Sequence, residues 1–270
     1  MFKYIGIRGH RGAGKNTISF LLGTAIDFYT RNNSWDGFDE VYADMVDIAM
    51  NDDSFIEDAD FVNVFFESFA DTPKIMLSQL FGIPSEYFYN DWCKDSVIVN
   101  MKDFTFMQAK DKLELQMISN NTHLYDADEL VRIANFKTVD NVADDVYTTL
   151  RELISYFSKN IMQKYFGSSV WVKSLNVNKW EQERFYTGRG KTIYKIFTDC
   201  KFPTEISYVK NNNGIIIKVT RENNIKADTQ ISKELDLDNR FDYEIKLDGD
   251  LMKESTKEDI KLLTLKIIEQ

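Results

Sequence analysis

The 270 residues carry 43 acidic and 33 basic side chains, a net charge of −10, with 43% hydrophobic residues and two cysteines. Length and apolar content exclude a disordered polyelectrolyte and predict a chain that buries its own core. Cys93 and Cys200 have neither disulfide-scaffold density nor metal-ligand spacing, and no apolar run approaches the roughly 18 residues of a membrane span; a soluble, cytoplasmic protein without zinc or iron–sulfur chemistry is expected.

In chain order, Lys3-Tyr4-Ile5-Gly6-Ile7-Arg8 is a short apolar run ending at a glycine cluster, which predicts a buried strand. From Lys15 the residues Ile18, Leu21, Leu22, Ala25 and Phe28 recur every three or four positions, predicting a helix with one apolar stripe. Between Arg31 and Asp60 ten acids face one base, Arg31, a local net of −9, so the remaining chain is nearly neutral. That distribution leaves no general field to attract a nucleic-acid polymer. Phe61–Phe66 predicts a second strand, and Asp71-Thr72-Pro73 starts a helix that runs to Leu80-Phe81 and stops near Gly82.

From about 85 to 180 the only glycine is Gly167 and there is no proline. The stripe Leu150, Leu153, Ile154, Phe157, Ile161 and Tyr165 is helical in period, so this stretch is expected to be a mostly helical lobe. Thr187-Gly188-Arg189-Gly190 signals a hairpin, followed by strands at Ile193–Phe197, Gly214–Val219 and Phe241–Ile245. Ser255-Thr256-Lys257-Glu258 reads as a capping box opening a last helix with Ile260, Leu263 and Ile267 on its apolar face. Strands alternating with helices predict an α/β class with a mainly parallel, five-stranded sheet flanked by helices. The whole is read as a single domain, with an acidic insertion at about 30–60 and the helical lobe at about 85–180.

Gly9-His10-Arg11-Gly12-Ala13-Gly14-Lys15-Asn16-Thr17 matches G-x-x-x-x-G-K between a predicted strand and a predicted helix. Glycines let backbone N–H groups turn inward around a phosphate, the helix start adds its positive end, and the Lys15 ammonium reaches the outer phosphates. Asn16 replaces the usual Ser/Thr that ligates Mg²⁺ directly, so Thr17 is the candidate for a phosphate or a metal-bound water. The substitution points toward small-molecule kinases and away from switch GTPases. An ordinary glycine-rich turn is the plain alternative. Asp199, just after the apolar strand at 193–197, can face Mg²⁺ beside this loop, and Lys201 follows two residues on. The competing interpretation is a strand-ending turn built on Pro203. His10, His123 and Cys200 read as loop filler, surface loop and small buried residue.

At these residues the chain resembles the bacteriophage deoxynucleoside monophosphate kinases. Thr198-Asp199-Cys200-Lys201-Phe202-Pro203-Thr204-Glu205, with Gly214 to Arg221, is similar to their D-V-R-F-P-N-E and G-G-x-x-I-x-V-x-R blocks. Gly14-Lys15-Asn16-Thr17, Phe69-Ala70-Asp71-Thr72-Pro73-Lys74, Leu80-Phe81-Gly82-Ile83-Pro84 and Arg151-Glu152-Leu153 with Trp171-Val172 resemble further blocks in the same order. The resemblance implies a P-loop kinase fold with a helical inserted lobe, and ATP- and Mg²⁺-dependent phosphorylation of a deoxynucleoside monophosphate. It implies donor contacts from Gly9, Arg11, Gly12, Ala13, Gly14, Lys15, Asn16, Thr17 and Arg221. Phe69, Lys74 and Arg151 would lie at the acceptor, and Lys15, Asp199, Lys201 and Arg151 would be catalytic, with Thr17 and Asp199 at the metal through water. Nucleotides are the expected partners, with no nucleic-acid polymer and no membrane; a homodimer is one assembly this reading allows, and the host cytoplasm is its location if viral. Lys201 in place of arginine, and Ser155, Ser158 and Lys159 after Arg151, depart from the pattern. A kinase of another small metabolite and a nucleotide-binding relative without turnover therefore stay open.

Overall fold

A computed structural model describes residues 1–10, 12–51, 56, 61–100, 105–108, 147–175, 191–221, 240–247 and 251–269. Along the chain come β1 (Phe2–Arg8), α1 (Lys15–Asn32), α2 (Phe38–Asn51), β2 (Val64–Glu67), α3 (Asp71–Phe81), α4 (Asp91–Ser96), β3 (Val97–Asn100), β4 (Thr105–Gln108), β5 (Tyr147–Thr149) and α5 (Leu150–Tyr156). Helical turns continue from α5 through Phe157–Gln163, and β6 (Ile193–Phe197), α6 (Pro203–Asn211), β7 (Ile215–Arg221), β8 (Tyr243–Leu247) and α7 (Glu254–Glu269) complete the series. These elements form two compact units, Met1–Phe69 with Val172–Gln270, and Ala70–Trp171.

The first unit is built on a five-stranded sheet in the order β2-β6-β1-β7-β8, with every neighbouring pair parallel. The continuous apolar runs of β1 and β7 follow from burial on both faces. Ile5, Ile7, Ile196, Ile217 and Val219 join the core with α1, α2 and α7, whereas Tyr4, Phe197 and Ile216 join Ile206 and Val209 of α6. Ile18, Leu21, Leu22 and Ala25 form the buried stripe of α1, as their spacing predicts.

The acidic segment contains a helix rather than only a solvated insertion. Phe38, Tyr42 and Val46 of α2 are buried at helical spacing, while Asp39, Glu40, Asp44 and Asp47 face solvent. Lys257 and Lys261 of α7 both reach Asp39, at 3.1 Å each. The expected capping box of α7 is displaced: the helix already begins at Glu254, and Glu258 pairs with Lys261 instead of reaching back to an N-cap. The hairpin signal at 187–190 lies outside the described residues.

The second unit has its own core of Leu77, Phe81, Phe88, Leu150, Leu153, Phe157 and Trp171. α3 ends at Gly82 in the left-handed conformation, where the sequence stops it. The stretch read as mostly helical also holds an antiparallel sheet, β4-β3-β5. The β-branched run Val97-Ile98-Val99, buried at its centre, favours a strand there over the helical period. Thr149 then caps α5 by a capping box with Glu152.

Candidate functional site

The glycine-rich loop that begins at Gly9 connects the central strand β1 to α1. Gly14 sits in the left-handed region at φ 87°, which costs glycine nothing, and no side chain caps the first turn of α1. No acidic residue stands in that turn, so the positive end of an 18-residue helix opens onto the loop. A Cβ at Gly9 would lie 2.4 Å from the Val219 carbonyl oxygen, so the loop passes against β7 with room only for glycine. Ala13 is buried, and its amide donates to the His10 carbonyl at 3.2 Å. The Lys15 ammonium folds back and donates to the same carbonyl at 2.8 Å. That bond holds the cation against the loop backbone, where an anion's oxygens would compete for it. Asn16 and Thr17 occupy the first turn of α1, and Arg11 lies outside the described residues.

Asp199 stands in the turn after the adjacent strand β6, at the same carboxyl edge. The chain leaves β1 toward β2 on one side and leaves β6 toward β7 on the other, so β1 and β6 flank the point where the winding of the sheet reverses. Open α/β sheets bind ligands outside the strand ends at such a reversal. The turn after β6 is fixed from several directions. Thr198 donates through its amide to the Glu67 carbonyl at 3.0 Å and Cys200 to the Ile7 carbonyl at 2.9 Å. The Asp199 carboxylate accepts from the Phe69 amide at 3.0 Å, and the Glu205 carboxyl accepts from Lys201 and Phe202 amides at 2.6 and 2.9 Å. The Lys201 side chain is half-buried and makes no ion pair among the described residues. Arg221 ends β7 at this edge, exposed.

Two titrating groups sit beneath the turn. Burial, reinforced by Asp199, pushes the Glu205 carboxyl up to about 8. Burial, with Glu205 and Asp199 adding repulsion, drives the Cys200 thiol well above its ordinary value, so it is a packed thiol and no nucleophile. Among the described residues no three His, Cys, Asp or Glu side chains gather into a metal cage. A magnesium ion here would depend on Asp199, Thr17 and the oxygens of a bound nucleotide. The open helix end, the lysine held in the loop and the Asp199 carboxylate at the sheet edge suit a magnesium nucleotide, which brings most of its own ligands.

The residues assigned to the acceptor are placed differently from the resemblance. Phe69 is 2% exposed, stacked on Phe197 at 4.9 Å and edge-on to Tyr208 at 6.1 Å; its ring belongs to the core and only its amide meets Asp199. Lys74 and Arg151 belong to the second unit. Lys74 pairs with Asp71 at 3.3 Å and lies 4.1 Å over the Tyr89 ring. The Arg151 guanidinium grips the Asp95 carboxylate with two hydrogen bonds, one of them 3.0 Å from the terminal nitrogen to Oδ2. Beyond α5 the hydrogen bonding turns π-helical over Phe157–Gln163, and a groove of about 530 Å³ forms among Tyr156, Lys159, Asn160, Lys164 and Tyr165.

Sequence reasoning passed over Glu205. Its signal was Pro203 at the first helical position with an acid two residues later, which marks a carboxyl turned back onto the turn before the helix. No protein-family model matches the chain, and no curated protein matches it.

Proposed function

We propose that the chain is an ATP- and Mg²⁺-dependent kinase of P-loop type that phosphorylates a deoxynucleoside monophosphate. The observation that carries the reading is the glycine-rich loop after the central strand β1 with Asp199 in the turn after the neighbouring strand β6, at one edge of a five-stranded parallel sheet. Phosphoryl transfer asks little covalent chemistry of a protein; it asks for positioned cations and donors around the transferring group. Loop amides and Lys15 would hold the donor phosphates, releasing Lys15 from the His10 carbonyl. Asp199 would orient metal-bound water, Lys201 would neutralise charge on the transferring group, and Arg221 would lie on the donor side. Bound ATP with Mg²⁺ supplies the transferred phosphoryl group and the divalent charge.

The acceptor's identity rests on the resemblance, through Lys74 and Arg151. A second reading, a kinase of another small metabolite, gains from the burial of Phe69 and from the engagement of Arg151 by Asp95, since both remove groups expected at a nucleotide acceptor.

Coupled ADP release over a panel of deoxynucleoside monophosphates and other hydroxyl or phosphate acceptors tests the proposal, with wild type and Lys15→Ala side by side. The expected outcome is turnover of at least one deoxynucleotide, falling by about 100-fold or more in the variant. Turnover confined to another acceptor establishes the second reading. ATP binding without turnover of any acceptor overturns both in favour of a nucleotide-binding protein.

A further inference from the structure

Glu205 is a poor candidate for an ordinary surface acid. It is 5% exposed, sits in the first turn of α6, and faces back toward the turn that carries Asp199 and Lys201. Both amides it receives, from Lys201 and Phe202, converge on the same oxygen, Oε2. The next residue is Pro203, which has no amide to donate. Among the described residues the turn is also anchored by backbone carbonyls of β2 and β1, by the Asp199 carboxylate on the Phe69 amide and by Arg240, which donates to the Pro203 carbonyl at 3.3 Å; Glu205 is the side chain that accepts from the amides of residues 201 and 202.

We infer that Glu205 is a positioning residue for phosphoryl transfer, setting the turn that aims the Asp199 carboxylate and the Lys201 ammonium at the carboxyl edge of the sheet. This inference rests on the proposed kinase activity. Glu205 touches neither nucleotide nor metal in this role; it acts through the backbone of residues 201 and 202. Because a single oxygen takes both amides, the role needs an acceptor and not a charge. Burial and the Asp199 charge favour the neutral acid, whose shape and accepting oxygen glutamine reproduces. A displacement of about 1 Å at reacting groups can cost on the order of 100-fold in rate, which is the scale on which a loosened turn registers.

The test uses the full-length chain with ATP, Mg²⁺ and the best acceptor found for wild type, with rates expressed per mole of ATP-binding protein. Wild type without transfer to any acceptor means that the kinase reading has failed, and the positioning role falls with it; an active wild type isolates the inference itself. Glu205→Ala is expected to lower kcat by about 10- to 100-fold with KM for ATP within about twofold, because the loop after β1 is untouched. Glu205→Gln is expected to restore kcat to within about threefold of wild type. A merely structural role would lower the melting temperature and the yield of binding-competent protein while leaving kcat per binding site unmoved. Wild-type kcat in Glu205→Ala overturns the inference, as does a Glu205→Gln variant as impaired as the alanine. If Glu205→Ala does not fold, Glu205→Asp, which withdraws the carboxyl by one methylene, carries the comparison: a kcat loss at constant KM for ATP supports the role and an unchanged kcat overturns it.

Discussion

Truncating Phe69 to alanine separates a core residue from an acceptor contact. The ring is buried between Phe197 and Tyr208, and its amide, which the substitution keeps, holds Asp199. Phe→Ala in a core costs about 3–5 kcal/mol in lost transfer energy and cavity. Two aromatic partners, each adding about 0.5–1.5 kcal/mol beyond buried area, place this site toward the upper part of that range, near 4–5 kcal/mol. At about 2–4 °C per kcal/mol for a domain of 150–250 residues, the melting temperature should fall by about 8–20 °C. Circular dichroism melts give that shift, and kinetics well below both transitions give the acceptor KM, expected to stay within about threefold of wild type. A melting temperature within about 3 °C of wild type together with an acceptor KM raised about tenfold would refute the burial argument and return the ring to the acceptor site.

Gly9→Ala should weaken ATP binding by about 10-fold or more in calorimetric titration, because its Cβ would collide with the Val219 carbonyl and push the loop off β7. The exposed Gly37, at φ 81° with nothing near its Cβ position, offers a control in which the added methyl brings backbone strain without a collision. Lys195→Met removes the ammonium 2.6 Å from Glu67 and leaves a largely buried carboxylate without it, for an expected loss of about 2–4 kcal/mol in urea denaturation; adding Glu67→Leu should recover most of it. Stability should also fall as pH rises from about 5 to about 8. The folded chain keeps a proton on Glu205, raised to about 8, which the unfolded chain releases near the ordinary glutamate range, so this contribution is complete at low pH and is lost as the medium climbs through the folded value. Urea midpoints at the two pH values should converge in Glu205→Gln.

The features legible in the sequence are those whose cause is local. Glycines around Lys15 and apolar runs such as Ile215-Ile216-Ile217 state their backbone requirement within a few residues, and the loop, α1, α3 and the five parallel strands lie close to where they were read. The sequence is silent where a distant partner or a change of period decides. Tyr165 extends the stripe of Leu150 and Phe157 at helical spacing, yet it is 72% exposed, because the π turns at Phe157–Gln163 take more residues per turn and rotate the face beyond them. Arg151 meets Asp95 across 56 positions of sequence, and Phe69 meets Phe197 across an even longer gap. A hydrophobic pattern cannot announce either pairing. The place of Asp199 at the carboxyl edge was legible from its position after a buried strand; Glu205, whose carboxyl accepts from two amides of the same turn, entered only as the last residue of the block that ends there.

The sheet order has a consequence for how the chain is made. β1 is synthesised first, yet its two partner strands are β6 and β7, the nearer of them beginning at Ile193. At about 5–20 residues per second, the apolar ribbon from Tyr4 to Ile7 waits on the order of 10–40 s for a neighbour. The unit from Ala70 to Trp171 is contiguous and leaves the ribosome whole during that interval. A nascent chain stopped short of β6 can therefore carry a packed second unit while its future central strand is still a bare apolar edge, the kind of surface that chaperones hold and that other chains capture by strand pairing.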